Sequence, residues 1–292
     1  MSQRLSVPHS PCTLGVPLSF NLISDDPSEI PPEGERWSSW DQATHGPTPR
    51  PDWVNTDLGA VDEDLGILRS GKEADVHLMR RWTPERADAP VVMAAKRYRS
   101  SEHRLFHRDA GYLEGRRVRR SRETRAMARR TDFGRELISA QWAMAEFGTL
   151  SQLWEQGLPV PYPVQLRGTE LLMEFITGPD GEAAPRLAQT RPPREQLPEL
   201  FEQLRAFMLT LATLGWAHGD LSPYNVLLAG ASCAELVVID LPQVVDVIGN
   251  PHGPEFLERD ARNIGEWFTR RGFEVDHGDL FGELMAAATS RW

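Results

Sequence analysis

Apolar positions along the chain change period in a fixed order. From Leu65 to Leu78, "LGILRSGKEADVHL" places aliphatic runs on either side of a Gly-centred turn, which predicts two strands and a tight connection. "PVVMAAKRYR", Pro90 to Arg99, reads as a further strand of small and β-branched residues. Between Arg135 and Gly157 the spacing becomes helical, with Leu137, Ile138, Trp142, Met144, Ala145, Leu150 and Leu153 apolar, and Gly157 and Pro159 ending the run. "TELLMEFITG", Thr169 to Gly178, is a short buried strand. A Pro-rich link leads into the long helical segment "QLPELFEQLRAFMLTLATLGWA", and "AELVVID" gives one more strand before the helical "PEFLERDARNIGEWFTRRG". Strands with one helix, a hinge-like strand, then mostly helices with a small hairpin predict an α+β fold in two lobes.

The segments outside these periods set the boundaries. Residues 1–54 are rich in Pro, Ser, Gly and Asp and read as an irregular, flexible arm, with Trp37, Trp40 and Trp53 able to dock on the body. Residues 55–176 form the first lobe, interrupted by an arginine-dense insert at about 100–135, and residues 177–292 form a reduced second lobe. No internal repeat is visible.

Composition narrows the function classes. The chain has 292 residues, enough for one large domain or two lobes. Its formal charge of -10 argues against a generic nucleic-acid binder, so the arginine-dense stretch at 115–130 reads first as a solvated face and second as a contact for RNA or ribosome phosphates. Two cysteines, Cys12 and Cys233, exclude a disulfide framework, and no apolar run reaches membrane-span length, so a cytoplasmic protein without membrane contact is expected. Of 32 basic residues only Lys72 and Lys96 are lysines, and both fall in the predicted strand region.

Three oxygen ligands sit where desolvation makes them costly. In "HGDLSPYNVLL", Asp220 and Asn225 lie between two apolar runs, and Asp240 ends the strand-like "ELVVI". This is the spacing of a phosphoryl-transfer loop: the aspartate accepts a hydroxyl proton, and the asparagine carbonyl and second carboxylate hold a divalent metal ion. Each alone is more simply a turn former or a cap; together and in this order they favour the site. Lys96 would hold phosphates and needs an anionic partner, for which Glu146 is the best candidate, against a snorkelling lysine and a solvent-facing glutamate. In "SGKEADV", Gly71 permits close backbone approach while Ser70 or Lys72 adds contacts, although the stretch matches neither a G-x-G-x-x-G nor a Walker loop. Backbone groups of Glu174 and Ile176 in "LLMEFITG" would pair with an adenine edge.

"SGKEADV", "AAKRY", "LMEFI", "HGDLSPYN" and "IDLPQ", in this order, resemble the RIO family of atypical serine/threonine kinases, and "NPHGPEFLERDARNIGEWFTRRG" is similar to the segment that follows the metal aspartate there. The resemblance spans roughly residues 60 to 275. It implies a kinase fold with a reduced C-terminal lobe, ATP and Mg2+ (or Mn2+) as ligands, Asp220 as catalytic base, Asn225 and Asp240 on the metal, and Lys96 on the phosphates paired with Glu146. The acceptor stays open among a protein hydroxyl, the enzyme itself and water. A small-molecule phosphotransferase of the aminoglycoside or choline kinase type shares the "HGDL…N…ID" skeleton, but "LPQ" follows the metal aspartate here and only about 50 residues remain to enclose an acceptor. A nucleotide-sensing scaffold without turnover is the third reading.

Overall fold

Alternation of apolar and polar positions builds the first lobe as one twisted antiparallel sheet. The computed structural model describes residue 31 and residues 36–84, 89–99, 132–242 and 244–290. Strands β1 (Arg36–Trp37), β2 (Thr44–His45), β3 (Val61–Ser70), β4 (Ala74–Trp82), β5 (Val91–Tyr98), β6 (Pro163–Arg167) and β7 (Glu170–Glu174) form it in the order β1-β3-β4-β5-β7-β6-β2. The predicted turn joins β3 to β4, where Gly71 N–H donates to the Ala74 carbonyl at 2.9 Å. Period-2 alternation on β5 sends Met93 and Ala95 to the outer face and Ala94, Lys96 and Tyr98 to the inner face. Helix α1 (Asp132–Glu155) packs under that inner face.

Residues 36–54 depart from the irregular arm expected for 1–54. Their two short strands supply both edges of the sheet, and Trp40, Trp53 and Val54 cover the outer apolar face formed by Met79, Met93, Ala95 and Leu172. Two-residue strands are too short for periodicity to register, whereas an apolar sheet face without a cover would stand in water. The fit is close: a Cβ on Gly46 would lie 1.8 Å from the Pro163 carbonyl oxygen of β6. Polar groups fix the same face. Fully buried Arg81 meets Asp62 bidentately at 2.6 and 2.9 Å and reaches Gln165 at 3.0 Å, and Gln165 donates to Ser39 at 2.9 Å.

A second polar cluster on that face has a pH signature. Partial burial raises the Asp64 carboxyl, but bonds from Arg97, the Gly66 N–H and His77 outweigh it and hold its pKa at about 2. A carboxylate held below its unfolded value contributes stability that is complete above pH ~4 and lost as pH falls through about 2. We expect Asp64→Asn to remove about 1–2 kcal/mol of the stability difference between pH 5 and pH 2, read from urea unfolding at each pH. Parallel acid profiles for the two proteins would show that Asp64 contributes nothing to it.

The second lobe is built on α2 (Leu197–Thr213), α3 (Gly253–Thr269) and α4 (His277–Thr289), with the small strand pairs β8 (Trp216–Ala217) with β11 (Val245–Asp246) and β9 (Val226–Ala229) with β10 (Glu235–Val238). Strand β6 and helix α4 are absent from the periodicity reading; α4 is capped by Asp276, which accepts from the Gly278 and Asp279 N–H groups. No helix among the described residues is long and apolar enough to cross a membrane. The arginine-dense stretch 115–130 lies outside the described residues.

Candidate active site

One cavity of about 1180 Å³ lies between the lobes, lined by the β3–β4 turn, the inner face of β5, the segment after β7, and the loops around Asp220 and Asp240. Lys96 is 8% exposed in it, and an ammonium that buried must be paired. Its Nζ lies 2.8 Å from Glu146 Oε1 and 2.7 Å from Asp240 Oδ1. Burial alone would lower its pKa, but the two carboxylates raise it above the usual lysine value.

Glu146 is 1% exposed because it sits on the inward stripe of α1 with Ala143, Phe147, Leu150 and Leu153. Met144, expected on the apolar face, is instead 65% exposed. Besides Lys96, Glu146 accepts a short bond from the Tyr98 hydroxyl and the Leu241 N–H at 3.2 Å. Both of its oxygens are therefore engaged, and the helix, β5 and the Asp240 loop are tied at one point.

Asp240 adopts a left-handed backbone conformation, with φ of 67°. That costs a non-glycine residue about 1–3 kcal/mol and persists only where surrounding contacts enforce it. Here the Lys96 ion pair and the Leu241–Glu146 bond do so. Burial raises the Asp240 carboxyl, yet Lys96 outweighs it and keeps its pKa below the usual value. Asn225 reaches the same place through the β9–β10 hairpin. Its register, Val226 opposite Val238, is continued by an Ile239 N–H to Asn225 carbonyl bond at 2.9 Å, so residues 225 and 240 become neighbours. The Asn225 amide donates to the Asp220 carbonyl at 2.9 Å, which leaves its side-chain oxygen as the free donor atom to a cation. One amide oxygen and one carboxylate fit a hard divalent ion such as magnesium; Asp240 lines the cavity, whereas buried Asn225 is not among the residues that line it.

Asp220 stands exposed at the cavity wall, its carboxylate unpaired among the described residues. The loop carrying it is anchored from behind. His218 accepts the Asp220 N–H on Nδ1 at 3.4 Å, which makes Nε2 the donor to the Ile239 carbonyl at 3.2 Å. Asp260 on α3, 1% exposed, accepts the Gly219 N–H at 2.9 Å and the Leu221 N–H at 2.8 Å. Burial pushes the Asp260 carboxyl up, opposed by His218, the two N–H groups and Arg259. Arg259 and Asn263, also on α3, bond the Gly219 and Leu221 carbonyls. Sequence reasoning missed these anchors. The signal was an acid on the apolar stripe formed by Leu257, Ala261, Ile264 and Phe268.

The other expected residues divide. Gly71 and Lys72 line the cavity, and a Cβ at Gly71 would lie 3.1 Å from the Ala74 carbonyl oxygen. Ser70 does not line it; its hydroxyl donates a short bond to Asp75 and accepts from Arg99 at 2.9 Å. At the hinge, the Glu174 N–H is engaged by the Tyr162 carbonyl and the Ile176 carbonyl by the Ala184 N–H. The Ile176 N–H has no partner among the described residues.

Comparison with known proteins gives this arrangement its family. A family model described as the RIO domain matches residues 87–280. The chain belongs to the RIO family of atypical serine/threonine kinases. It is 34% identical over 223 residues to the RIO-type serine/threonine-protein kinase Rio1 of Haloferax volcanii, covering 76% of this chain and 69% of that one. It is 28% identical over 225 residues to the serine/threonine-protein kinase RIO1 of Homo sapiens, covering 74% of this chain and 35% of that one, so it spans about a third of the human relative. Among solved structures, the Rio2 kinase–ADP/Mg2+–phosphoaspartate complex from Chaetomium thermophilum superposes with a TM-score of 0.50 at 22% identity, covering 78% of this chain and 66% of that one. That likeness shows the fold: a bilobal, kinase-like α+β chain. The RIO match begins after β3 and β4, so the β3–β4 turn lies outside the matched span.

Proposed function

We propose that this RIO kinase transfers the terminal phosphoryl group of ATP with Asp220 as the base, Lys96 on the phosphates, and Asn225 with Asp240 holding magnesium. The observation that carries the reading is the buried Lys96, bonded at once to Glu146 from α1 and to Asp240 across the cleft. A lysine so placed is oriented but not consumed, because phosphate oxygens can replace Asp240 while Glu146 stays. The metal, when bound, supplies neutralisation of charge on the phosphates; manganese would suit the same oxygen donors. The protein's share is positioning. Ile176 N–H and the Glu174 carbonyl receive adenine, Gly71 and Lys72 cover the phosphates, and Asp220 takes the proton of the attacking hydroxyl.

The acceptor is the least constrained part. The phosphoaspartate in the Rio2 complex supports a carboxylate of the enzyme as one acceptor, beside a serine or threonine hydroxyl and water. We place the protein in the cytoplasm on its two cysteines, and read residues 115–130 first as a solvated basic face and only second as an RNA-phosphate contact. The test is incubation of pure protein with Mg2+ and γ-labelled ATP, following label on protein and free phosphate separately. Label retained by the wild type and absent from Asp220→Ala is the expected result for a kinase. Phosphate release without label would make it an ATPase switch, and neither product with nucleotide still bound would overturn the protein-kinase reading in favour of a small-molecule acceptor.

A further inference from the structure

Two arginines at the cleft have no role in the site just described. Arg69 on β3 and Arg186 in the segment after the hinge both line the cavity, one from each lobe. Of the other cations lining it, Lys96 is neutralised by Glu146 and Asp240 and Arg99 by Asp75, Arg259 bonds the Gly219 carbonyl, and Lys72 lies in the β3–β4 turn. Neither Arg69 nor Arg186 has a carboxylate within ion-pair distance among the described residues.

The backbone aims both side chains. Strict alternation would place Leu68 and Arg69 on opposite faces of β3. The β3–β4 register slips between the pairs Ile67–His77 and Arg69–Val76, leaving Leu68 as an extra residue, and both Leu68 and Arg69 line the cavity. A bulge beside a site is a known means of re-aiming one side chain. Arg186 is fixed from its own side, by a bridge to Leu227 and a short bond from its guanidinium to the Tyr224 carbonyl. The Tyr224 contact places it in the turn that carries Asn225, at the metal end of the cavity rather than the adenine end. Burial and the nearby Arg69 lower the Arg186 pKa, with Asp240 opposing them. Two like charges held across a cleft are a standing cost that an anion between them removes.

We propose that Arg69 and Arg186 form a cross-cleft clamp for the outermost phosphate of the nucleotide, so that the triphosphate, and not the diphosphate, draws the two lobes together. Guanidinium forks match phosphate oxygens bidentately, and a third phosphate brings both the charge and the reach that a diphosphate lacks. The proposal rests on the ATP reading above and adds how ATP is told from ADP.

The test compares Mg2+–ATP and Mg2+–ADP affinity by calorimetry for the wild type, Arg69→Gln, Arg186→Gln and Arg186→Lys. Each glutamine variant is expected to weaken ATP about tenfold or more while ADP moves less than about twofold, with Arg186→Lys between. Arg69→Gln guards against misfolding, since the Arg69 side chain is exposed and makes no bond to the second lobe. Equal losses for both nucleotides, or no loss for either, would overturn the clamp while leaving nucleotide binding in place. A wild type that binds neither nucleotide would overturn the ATP reading and the clamp with it.

Discussion

Asp220→Ala is expected to lower phosphoryl transfer by about a thousandfold while ATP affinity stays within about twofold. The separation follows from where Asp220 stands. Its carboxylate is exposed to the cavity and holds no ion pair among the described residues, so its removal orphans no buried group. The loop keeps its shape through main-chain contacts: the Asp220 N–H to His218 and the Asp220 carbonyl to Asn225 both survive the substitution. Melting temperature should therefore be unchanged. Only an interaction that matters when the hydroxyl proton leaves is deleted, and such a loss appears in turnover and not in ground-state binding. Unchanged turnover would remove Asp220 from its role. A parallel loss of ATP affinity would make it a binding residue.

The opposite profile is expected for Asp260→Ala: a large fall in stability together with loss of turnover, although Asp260 does not itself line the cavity. Its two oxygens satisfy the N–H groups of Gly219 and Leu221, on either side of Asp220. Alanine leaves both donors buried and unpaired, at about 1–3 kcal/mol each, or roughly 2–6 kcal/mol together. For a chain of this size that lowers the melting temperature by about 10 °C. Because the lost bonds bracket Asp220, the carboxylate should also wander from its place, and turnover should fall even at temperatures where the variant is fully folded. Measuring both on the same preparation decides between anchoring and simple stability. Full turnover with a lowered melting temperature would mean that Arg259 and Asn263, which hold the Gly219 and Leu221 carbonyls, suffice to position the loop.

Glu146 and Asp260 share a signature that periodicity alone nearly exposes. Each is an acid on the apolar stripe of its helix, with buried aliphatic neighbours three or four residues away. A carboxylate cannot enter such a stripe unless cations or N–H groups wait for it, so its presence there announces a polar partner from another element. Glu146 is legible because Lys96 requires an anion. Asp260 is not, because its partners are main-chain N–H groups, which carry no mark in a sequence.

The linear order of apolar periods determined the two-lobed α+β plan, β3 to β5, most of α1 to α3, and the group of Lys96, Asp220, Asn225 and Asp240 as the residues that need explaining. Local rules reach that far because strand and helix periods, turn glycines and buried charges are written residue by residue. Long-range pairing decided the rest. The hairpin register that sets Asn225 beside Asp240, the left-handed turn at Asp240, the bulge that brings Arg69 into the cleft, and the edge strands from residues 36–45 all depend on partners far away in sequence. Such features are stabilised only when the partner is present, so no window of the chain contains their cause.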